Sequence, residues 1–335
     1  MEGAPGTAKA PGAHPAGGVV GIGRAHAKAI VLGEHAVVYG APALALPVSR
    51  LTVTARAAHS GGDGTGDDLS FTMPGSASPA VVAQASLSLR RLIDAFMARA
   101  GVRGGPPLEV SLDGAIPPGR GLGSSAANSR AVVLALAELF GRELTEDTAF
   151  DLVQTAETMT HGRASGVDAM TVGAKAPLRF RAGRARPAAV GCDDVFIVAD
   201  SGTAGSTKEA VELLRGGFER RAGAQEKFVG RATLLVDRAC RYLAEGRPAE
   251  LGGCLTGYHE LMHDAGLSTD RIDTLVRAAL AAGSHGAKIT GGGLGGCVLA
   301  LASPQSADRV TSHLLEAGAV QAWTVPLKGA AGHER

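Results

Sequence analysis

The segment PPGRGLGSSAANSR, residues 117–130, places an alternating set of glycines directly before a helical pattern. The glycines are Gly119, Gly121 and Gly123. Such a set lets the backbone turn freely and approach a ligand closely. From Ser125 onward apolar residues recur at helical spacing. A glycine loop that enters a helix presents free N–H groups and the positive end of the helix dipole, which suits phosphate. The alternative is an ordinary turn with Ser124 or Ser125 as the helix cap.

The composition is that of a globular protein. A chain of 335 residues suits two domains at roughly 100–200 residues each. Its 33 basic and 32 acidic side chains leave a net charge of +1. The chain therefore has no overall positive electrostatic field that would attract nucleic acid or an anionic membrane. No apolar run approaches the roughly 20 residues of a membrane span. Four scattered cysteines predict reduced thiols and a cytoplasmic location: Cys192, Cys240, Cys254 and Cys297.

The order of predicted elements favours an α+β fold. Strands and helices mix without regular βα alternation, which argues against a doubly wound sheet. The first 18 residues lack an apolar signal core and are predicted to be a disordered tail, and 61–68 reads as a polar loop. We divide the remainder into an N-terminal domain at 19–188 and a C-terminal domain at 189–335, because a polar segment with a proline separates two strand patterns there.

Two familiar motifs are matched without the context that they need. GGGLGG at 291–296 fits a dinucleotide loop, but it lies near the end of the sequence and a strand-like segment follows it. HELMH at 259–263 fits a zinc-protease motif, with His259 and His263 as ligands and Glu260 as base. No convincing third ligand follows, and the apolar spacing of this segment favours a core helix with polar flanks.

Several polar residues nevertheless form a candidate set. Glu157 falls on the apolar side of a predicted helix, where a carboxylate is costly unless a cation or donor meets it. The alternative is a carboxylate at the helix edge with its head in water. Asp168 follows on a glycine-flanked turn, Lys28 stands in a strand pattern, and Glu34–His35 occupies another turn. Together these residues make a set: a phosphate loop, a serine and a glutamate of the kind that holds a metal, an aspartate and a lysine.

The sequence resembles the GHMP small-molecule kinases, and within them the branch that phosphorylates mevalonate. The match spans about residues 19–328. It rests on KAIVLGEHAVVYG (28–40), PPGRGLGSSAA (117–127), the pattern E-x-x-x-H-G-x-x-S-G-V-D (157–168) and KITGGGLGGC (288–297). GSTKEAV (205–211) and LSTDRIDTLV (267–276) resemble bacterial members. The resemblance implies two α+β domains, the first like domain 2 of ribosomal protein S5 and the second ferredoxin-like, with the active site between them.

The resemblance also implies roles for individual residues. Asp168 and Lys28 would be catalytic, one receiving the proton of the 5-hydroxyl of mevalonate and the other offsetting negative charge. Ser125 and Glu157 would hold Mg²⁺. Mevalonate would be bound by Lys28, Glu34, His35, Asp168 and Thr207. The phosphates of ATP would be bound by Pro118, Gly119, Arg120, Gly121, Leu122, Gly123, Ser124, Ser125 and Ala126.

Two departures bear on substrate preference. The usual Pro-Gly before the first lysine is His26-Ala27 here, and the usual Asn-Pro after His-Gly is Arg163-Ala164. The expected function is ATP-dependent phosphorylation of mevalonate on the route to isoprenoids, with neither nucleic acid nor a membrane as partner and with a homodimer as the expected assembly. The alternatives are another activity of the family, on phosphomevalonate or homoserine, and a non-enzymatic sensor that binds ATP or a sugar.

Overall fold

The computed structural model describes residues 19–60, 69–72, 79–102, 106–161 and 164–328. The predicted N-terminal tail, the predicted loop at 61–68 and Arg163 lie outside these residues. The segments AKAIVL (27–32) and LTVTARA (51–57) have the β-rich pattern of strands, and each lies within a longer strand of the structure.

In the first half, a long strand pair precedes a mixture of helices and short strands. The elements are β1 (Val20–Leu32), a 3₁₀ helix (Ala36–Tyr39), β2 (Ala43–His59), β3 (Leu69–Thr72), α1 (Pro79–Ala100), β4 (Leu108–Gly114), α2 (Ser124–Leu139), α3 (Glu146–His161), α4 (Val167–Thr171), β5 (Leu178–Arg181) and β6 (Arg184–Pro187).

The second half begins with a buried strand and continues with four helices. Its elements are β7 (Val195–Asp200), α5 (Thr207–Arg220), α6 (Ala224–Glu245), α7 (Pro248–Asp264), α8 (Asp270–Ala281), β8 (Gly286–Thr290), β9 (Cys297–Ala302), α9 (Ala307–Glu316) and β10 (Gln321–Pro326). The predicted domain boundary at 188/189 falls between β6 and β7.

Each half has its own sheet. The first has the order β3-β4-β2-β5-β6, with β1 along the other edge of β2, and only the β3–β4 pair is parallel. The second is antiparallel throughout, in the order β10-β7-β9-β8. The predicted α+β class is therefore confirmed, since helices and strands mix without a repeated parallel βαβ unit.

Helix α2 is the central helix of the first half. It packs against β1 and β2, and most of its residues are buried. Val132, Val133 and Leu136 are fully buried, and each such side chain stabilises the fold by about 1.5–3 kcal/mol relative to an exposed position. This packing holds the first turn of α2 beside β1, and so beside Lys28.

The register of β1 and β2 changes just before Lys28. His26 is opposite Thr52, whereas Ala27 is opposite Val48, so β2 carries extra residues at this point. The two ring nitrogens of His26 lie 2.8 and 2.9 Å from the carbonyl oxygens of Ala27 and Ala174. Where the family usually has Pro-Gly, this chain therefore has an irregular strand and a histidine whose ring contacts two backbone carbonyls.

Two further expectations can be compared with the structure. None of the described helices has the length and apolar character that a membrane crossing needs. All four cysteines are free thiols, as predicted.

Candidate active site

A cavity between the two halves brings together seven of the predicted site residues. They are Lys28, Glu34, His35, Gly121, Glu157, Asp168 and Thr207. They come from β1 and the turn after it, the glycine loop, α3, α4 and the start of α5. The cavity is also lined by residues to which the sequence analysis gave no individual role. Gln154 lies outside its motifs, whereas the other residues lie within them: Ser165, Gly166, Gly291 and Gly292.

Lys28 and Asp168 form an ion pair in this cavity. Nζ of Lys28 lies 2.9 Å from Oδ1 of Asp168, and the lysine side chain is 3% exposed. Asp168 lies in the first turn of α4, which starts after Gly166. In such a pair the buried cation can stabilise an oxyanion, and the partly exposed carboxylate can receive a proton from a hydroxyl.

The glycine loop leads into α2 without a side-chain cap. The N-cap is Gly123, at φ +71°, and α2 begins at Ser124. The alternative of an ordinary serine-capped turn is therefore wrong. A Cβ at Gly123 would stand 2.8 Å from Cγ of Lys28, so a larger residue would displace the lysine. The amide of Lys28 donates to the carbonyl of Leu122 at 3.0 Å, which joins β1 to the loop.

The C-terminal glycine motif supports the loop from the other half of the chain. A Cβ at Gly121 would stand 2.7 Å from Cα of Gly291, so the two backbones touch at glycines. The amide of Gly205 also donates to the carbonyl of Gly119 at 2.9 Å. GGGLGG is followed by strand β9, and the dinucleotide interpretation is excluded because that fold places a helix there.

The other predicted phosphate-loop residues differ in what they can offer a ligand. The guanidinium of Arg120 forms an ion pair with Asp200 at 2.8 Å and donates to the carbonyl of Gly202 at 3.0 Å. Its side chain is therefore engaged within the protein, and its backbone is what remains for phosphate. Leu122 and Ala126 are buried, whereas Ser124 and Ser125 are partly exposed in the first turn of α2.

A second, fully buried ion pair involves Glu34 of the cavity wall. Lys288, from β8, contacts Oε1 of Glu34 and is completely buried, and burial lowers the pKa of its ammonium group. Tyr258 donates to the carbonyl of Glu34 at 2.8 Å. Sequence analysis missed Lys288 and Tyr258 as supports of Glu34. The available signal was Lys288 itself, a charge in an otherwise buried strand.

His35 occupies a strained and buried position beside this pair. Its backbone has φ +60°, and its Nε2 forms a hydrogen bond with the carbonyl of Gly292 at 3.0 Å. Burial lowers the pKa of His35 to about 4, and the nearby charge of Lys288 acts in the same direction. The imidazole is therefore neutral at neutral pH, and it can form a hydrogen bond without adding charge to the cavity.

Glu157 is buried, contrary to the alternative of a carboxylate in water. It is 4% exposed and lies on α3 one turn after the fully buried Val153. It lines the same cavity as Lys28 and Asp168. A buried carboxylate is costly unless a cation or a hydrogen-bond donor meets it, and buried titratable groups in a cavity wall are common at functional sites.

The HELMH segment has the structure of a core helix with polar flanks. His259 and His263 both contact Asp273, at 3.3 and 3.1 Å, and Glu260 points elsewhere to pair with Arg231 at 3.1 Å. Burial lowers the pKa of His259. Within the described residues, no three His, Cys, Asp or Glu side chains are arranged to hold a metal. The structure therefore gives Glu260 no role as the base of a zinc protease.

Comparison with known proteins agrees with this geometry. Residues 88–174 match the model of the GHMP kinases N terminal domain, and residues 240–320 match that of the GHMP kinases C terminal. A mevalonate kinase of Pyrococcus horikoshii is 30% identical over 314 residues, which cover 89% of this chain and 93% of the relative. The chain belongs to the GHMP kinase family.

Other members of this family show the same likeness. A mevalonate kinase of Aeropyrum pernix is 30% identical over 90% of this chain and 94% of its own length. The structure of the L. major mevalonate kinase in complex with R-mevalonate has a TM-score of 0.79 and 25% identity, and the match covers 92% of this chain and 96% of that one. The two-domain GHMP kinase fold expected from the sequence is thus confirmed.

Proposed function

We propose that this GHMP kinase transfers the γ-phosphoryl group of ATP to the 5-hydroxyl of mevalonate, giving 5-phosphomevalonate and ADP. The observation that carries the proposal is the Lys28–Asp168 pair, which lies in a cavity also lined by the glycine loop. The relatives and the structural neighbour described above, all mevalonate kinases, support the choice of substrate.

Asp168 and Lys28 would act together on the acceptor hydroxyl. Asp168 receives or orients the hydroxyl proton, because its carboxylate is the partly exposed member of the pair. Lys28 offsets the charge of the resulting alkoxide and of the oxygens on the transferring phosphoryl group. A sensor that only binds would not need a proton acceptor beside a buried cation, so the pair favours an enzyme.

The glycine loop would hold the triphosphate. Positive charge for the phosphates comes from the backbone amides between Gly119 and Ser125 and from the dipole of α2. No side chain caps the start of α2, so its first amides are left for the ligand. The contact between Gly121 and Gly291 would keep the loop in position during transfer. Glu34, His35 and Thr207 would form the substrate end of the cavity.

Mg²⁺ is part of the proposal, with Ser125 and Glu157 as its protein ligands. Glu157 fits this role because it is a buried carboxylate in the cavity wall, and hard cations prefer oxygen ligands. Mg²⁺ is usually held by one or two protein groups together with substrate phosphates, so a cluster of three side chains is not required. When bound, the ion would neutralise charge on the phosphate oxygens.

A coupled assay of ADP release tests the function directly. Mevalonate, phosphomevalonate, homoserine and galactose are offered separately with ATP and Mg²⁺, and we expect turnover with mevalonate only. Equal or faster turnover with phosphomevalonate would contradict the proposal and would point to Arg163 as a contact for a second phosphate. Turnover with none of the four would favour the sensor alternative.

The finer expectations on assembly and location belong to the same proposal. We propose a homodimer that works in the cytoplasm. Sedimentation equilibrium of the purified chain measures the first, and fractionation of the source cells measures the second.

A further inference from the structure

Gln154 lies in the cavity wall, and the nitrogen of its side-chain amide is already hydrogen-bonded within the protein. It stands on α3 one turn before Glu157, and both residues line the cavity. Its Nε2 donates to the carbonyl of Ala164 at 2.8 Å. Because only the amide nitrogen can donate to a carbonyl, this bond fixes which end of the amide is the oxygen.

The amide oxygen of Gln154 is a buried acceptor. Oε1 is shielded from solvent and accepts no hydrogen bond from the part of the chain that the structure describes. A buried acceptor without a donor costs free energy, so each such group in a folded protein calls for an explanation. Gln154 lines the cavity, so a ligand bound there is the candidate source of the missing donor.

Gln154 is also tied to the segment that carries Asp168. The carbonyl that it binds belongs to Ala164, which is followed by Ser165 and Gly166 in the same cavity wall. Mevalonate has two hydroxyl groups, separated by three carbons. A molecule bound with its 5-hydroxyl at Asp168 carries its 3-hydroxyl within the same cavity, whose wall includes Gln154.

Glu34 offers a second buried acceptor, but its charge makes it the poorer partner for this hydroxyl. Oε2 of Glu34 also accepts no hydrogen bond from the described residues, while Oε1 contacts Lys288. The 3-hydroxyl of mevalonate is two bonds from the carbon that bears the substrate's own carboxylate. A neutral amide accepts its hydrogen bond without repelling that carboxylate, whereas a second carboxylate would repel it.

We propose that Gln154 is a specificity-determining residue, whose Oε1 accepts a hydrogen bond from the tertiary 3-hydroxyl of mevalonate while Asp168 receives the 5-hydroxyl. This assignment rests on the proposed function. It adds to that function a means of recognising the second hydroxyl, so that a substrate without this hydroxyl leaves a buried acceptor unsatisfied.

The test compares mevalonate with its 3-deoxy analogue, 5-hydroxy-3-methylpentanoate, in wild type and in Gln154→Leu. We expect the wild type to prefer mevalonate in kcat/KM by about 10- to 100-fold, the range of one buried hydrogen bond. In Gln154→Leu this preference should fall to within about 3-fold, because the acceptor is gone. Loss of the bond to Ala164 affects both substrates equally, so it cancels in the ratio.

Two further variants separate the acceptor from a structural effect. Gln154→Glu keeps an acceptor and loses the donor, so we expect KM to rise for both substrates while the preference is retained. Thr155→Val is the matched control on the same helix, because Thr155 is exposed and its hydroxyl bonds only to the carbonyl of Asp151 among the described contacts. Gln154→Met replaces Gln154→Leu if the latter does not fold.

The outcomes distinguish the two proposals. Wild-type turnover of mevalonate with an undiminished preference in Gln154→Leu and Gln154→Met overturns the role of Gln154 alone. Loss of the preference in Glu34→Gln, with retention in Gln154→Leu, also overturns it and assigns the hydroxyl to Glu34. A wild type that phosphorylates neither compound overturns the proposed function and this assignment together.

Discussion

Nζ of Lys28 lies 2.9 Å from Oδ1 of Asp168, yet the two side chains differ in exposure, at 3% and 35%. The lysine is enclosed by β1 and the glycine loop, so its charge is fixed in place. The carboxylate is the member of the pair that an acceptor hydroxyl can reach. This asymmetry fits the proposed roles of a stationary cation and an accessible proton acceptor within one pair.

Asp168→Asn should remove most turnover while nucleotide binding stays nearly unchanged. Asn keeps the size of the side chain and can still form a hydrogen bond with the hydroxyl, but it cannot receive its proton. A positioned general base is worth on the order of 10²–10⁴ in rate, and kcat should fall by at least that factor. Steady-state kinetics and nucleotide titration measure the two effects. An unchanged kcat with a raised KM for mevalonate would make Asp168 a binding residue.

Lys28→Met extends the same prediction, because it removes the cation that stabilises the alkoxide. If the two groups act as a unit, the double variant should be little slower than the slower single variant. Fully multiplicative losses would instead show two independent contributions.

The sequence predicts those parts of the fold and site that depend on local patterns. The helical spacing of apolar residues after Ser125 predicts α2, and the alternating pattern of LEVSL (108–112) predicts β4. The motifs around Lys28 and Asp168 predict that these two residues share one site. By contrast, β3, β6 and α4 are each five residues or fewer, too short for periodicity to show. The contact of Lys288 with Glu34 could not be predicted from the sequence for a different reason. Lys288 and Glu34 are 254 residues apart, and only the packing of two sheets brings them together.

Lys288→Met should lower the free energy of unfolding by about 3–5 kcal/mol, because it leaves the carboxylate of Glu34 buried without its cation. Adding Glu34→Gln should recover part of this loss, since the double variant buries no unpaired charge. Chemical denaturation measures both effects. The control is Lys328→Met, which removes an exposed pair with Asp193 and should cost no more than about 1 kcal/mol. Equal losses in the two lysine variants would show that the Glu34–Lys288 pair is not desolvated.

Glu157→Gln should raise the Mg²⁺ concentration for half-maximal rate far more than it raises KM for mevalonate. The change is nearly isosteric, but it removes the negative charge that a hard cation prefers. Initial rates across a Mg²⁺ titration at saturating ATP provide the measurement. If the Mg²⁺ dependence is the same in the variant, Glu157 is a structural carboxylate and another residue holds the ion.

The purified protein should contain no stoichiometric zinc, and His263→Ala should retain most of the kinase activity. His263 is 60% exposed and contacts Asp273 outside the cavity, and Glu260 is occupied by Arg231. Elemental analysis and the ADP-release assay test the two parts. One zinc per chain that disappears in His263→Ala would restore the metal interpretation of HELMH.

Acidification from pH 7 to pH 5 should destabilise the protein partly through His35. Its pKa in the folded protein is about 4 because it is buried, whereas an unfolded histidine titrates near 6.5. The unfolded state therefore binds a proton first, and stability falls as the pH drops through 6.5 towards 4.

For His35 alone, the free energy of unfolding falls by about 2 kcal/mol between pH 7 and pH 5. His35→Asn removes the titration, so its free energy of unfolding should fall by that much less over the same interval. Burial also lowers the pKa of His26 and His259, but both remain in the variant and cancel in the comparison. Parallel urea denaturation curves at the two pH values measure the difference, and identical losses in wild type and variant would show that His35 titrates normally in the folded protein.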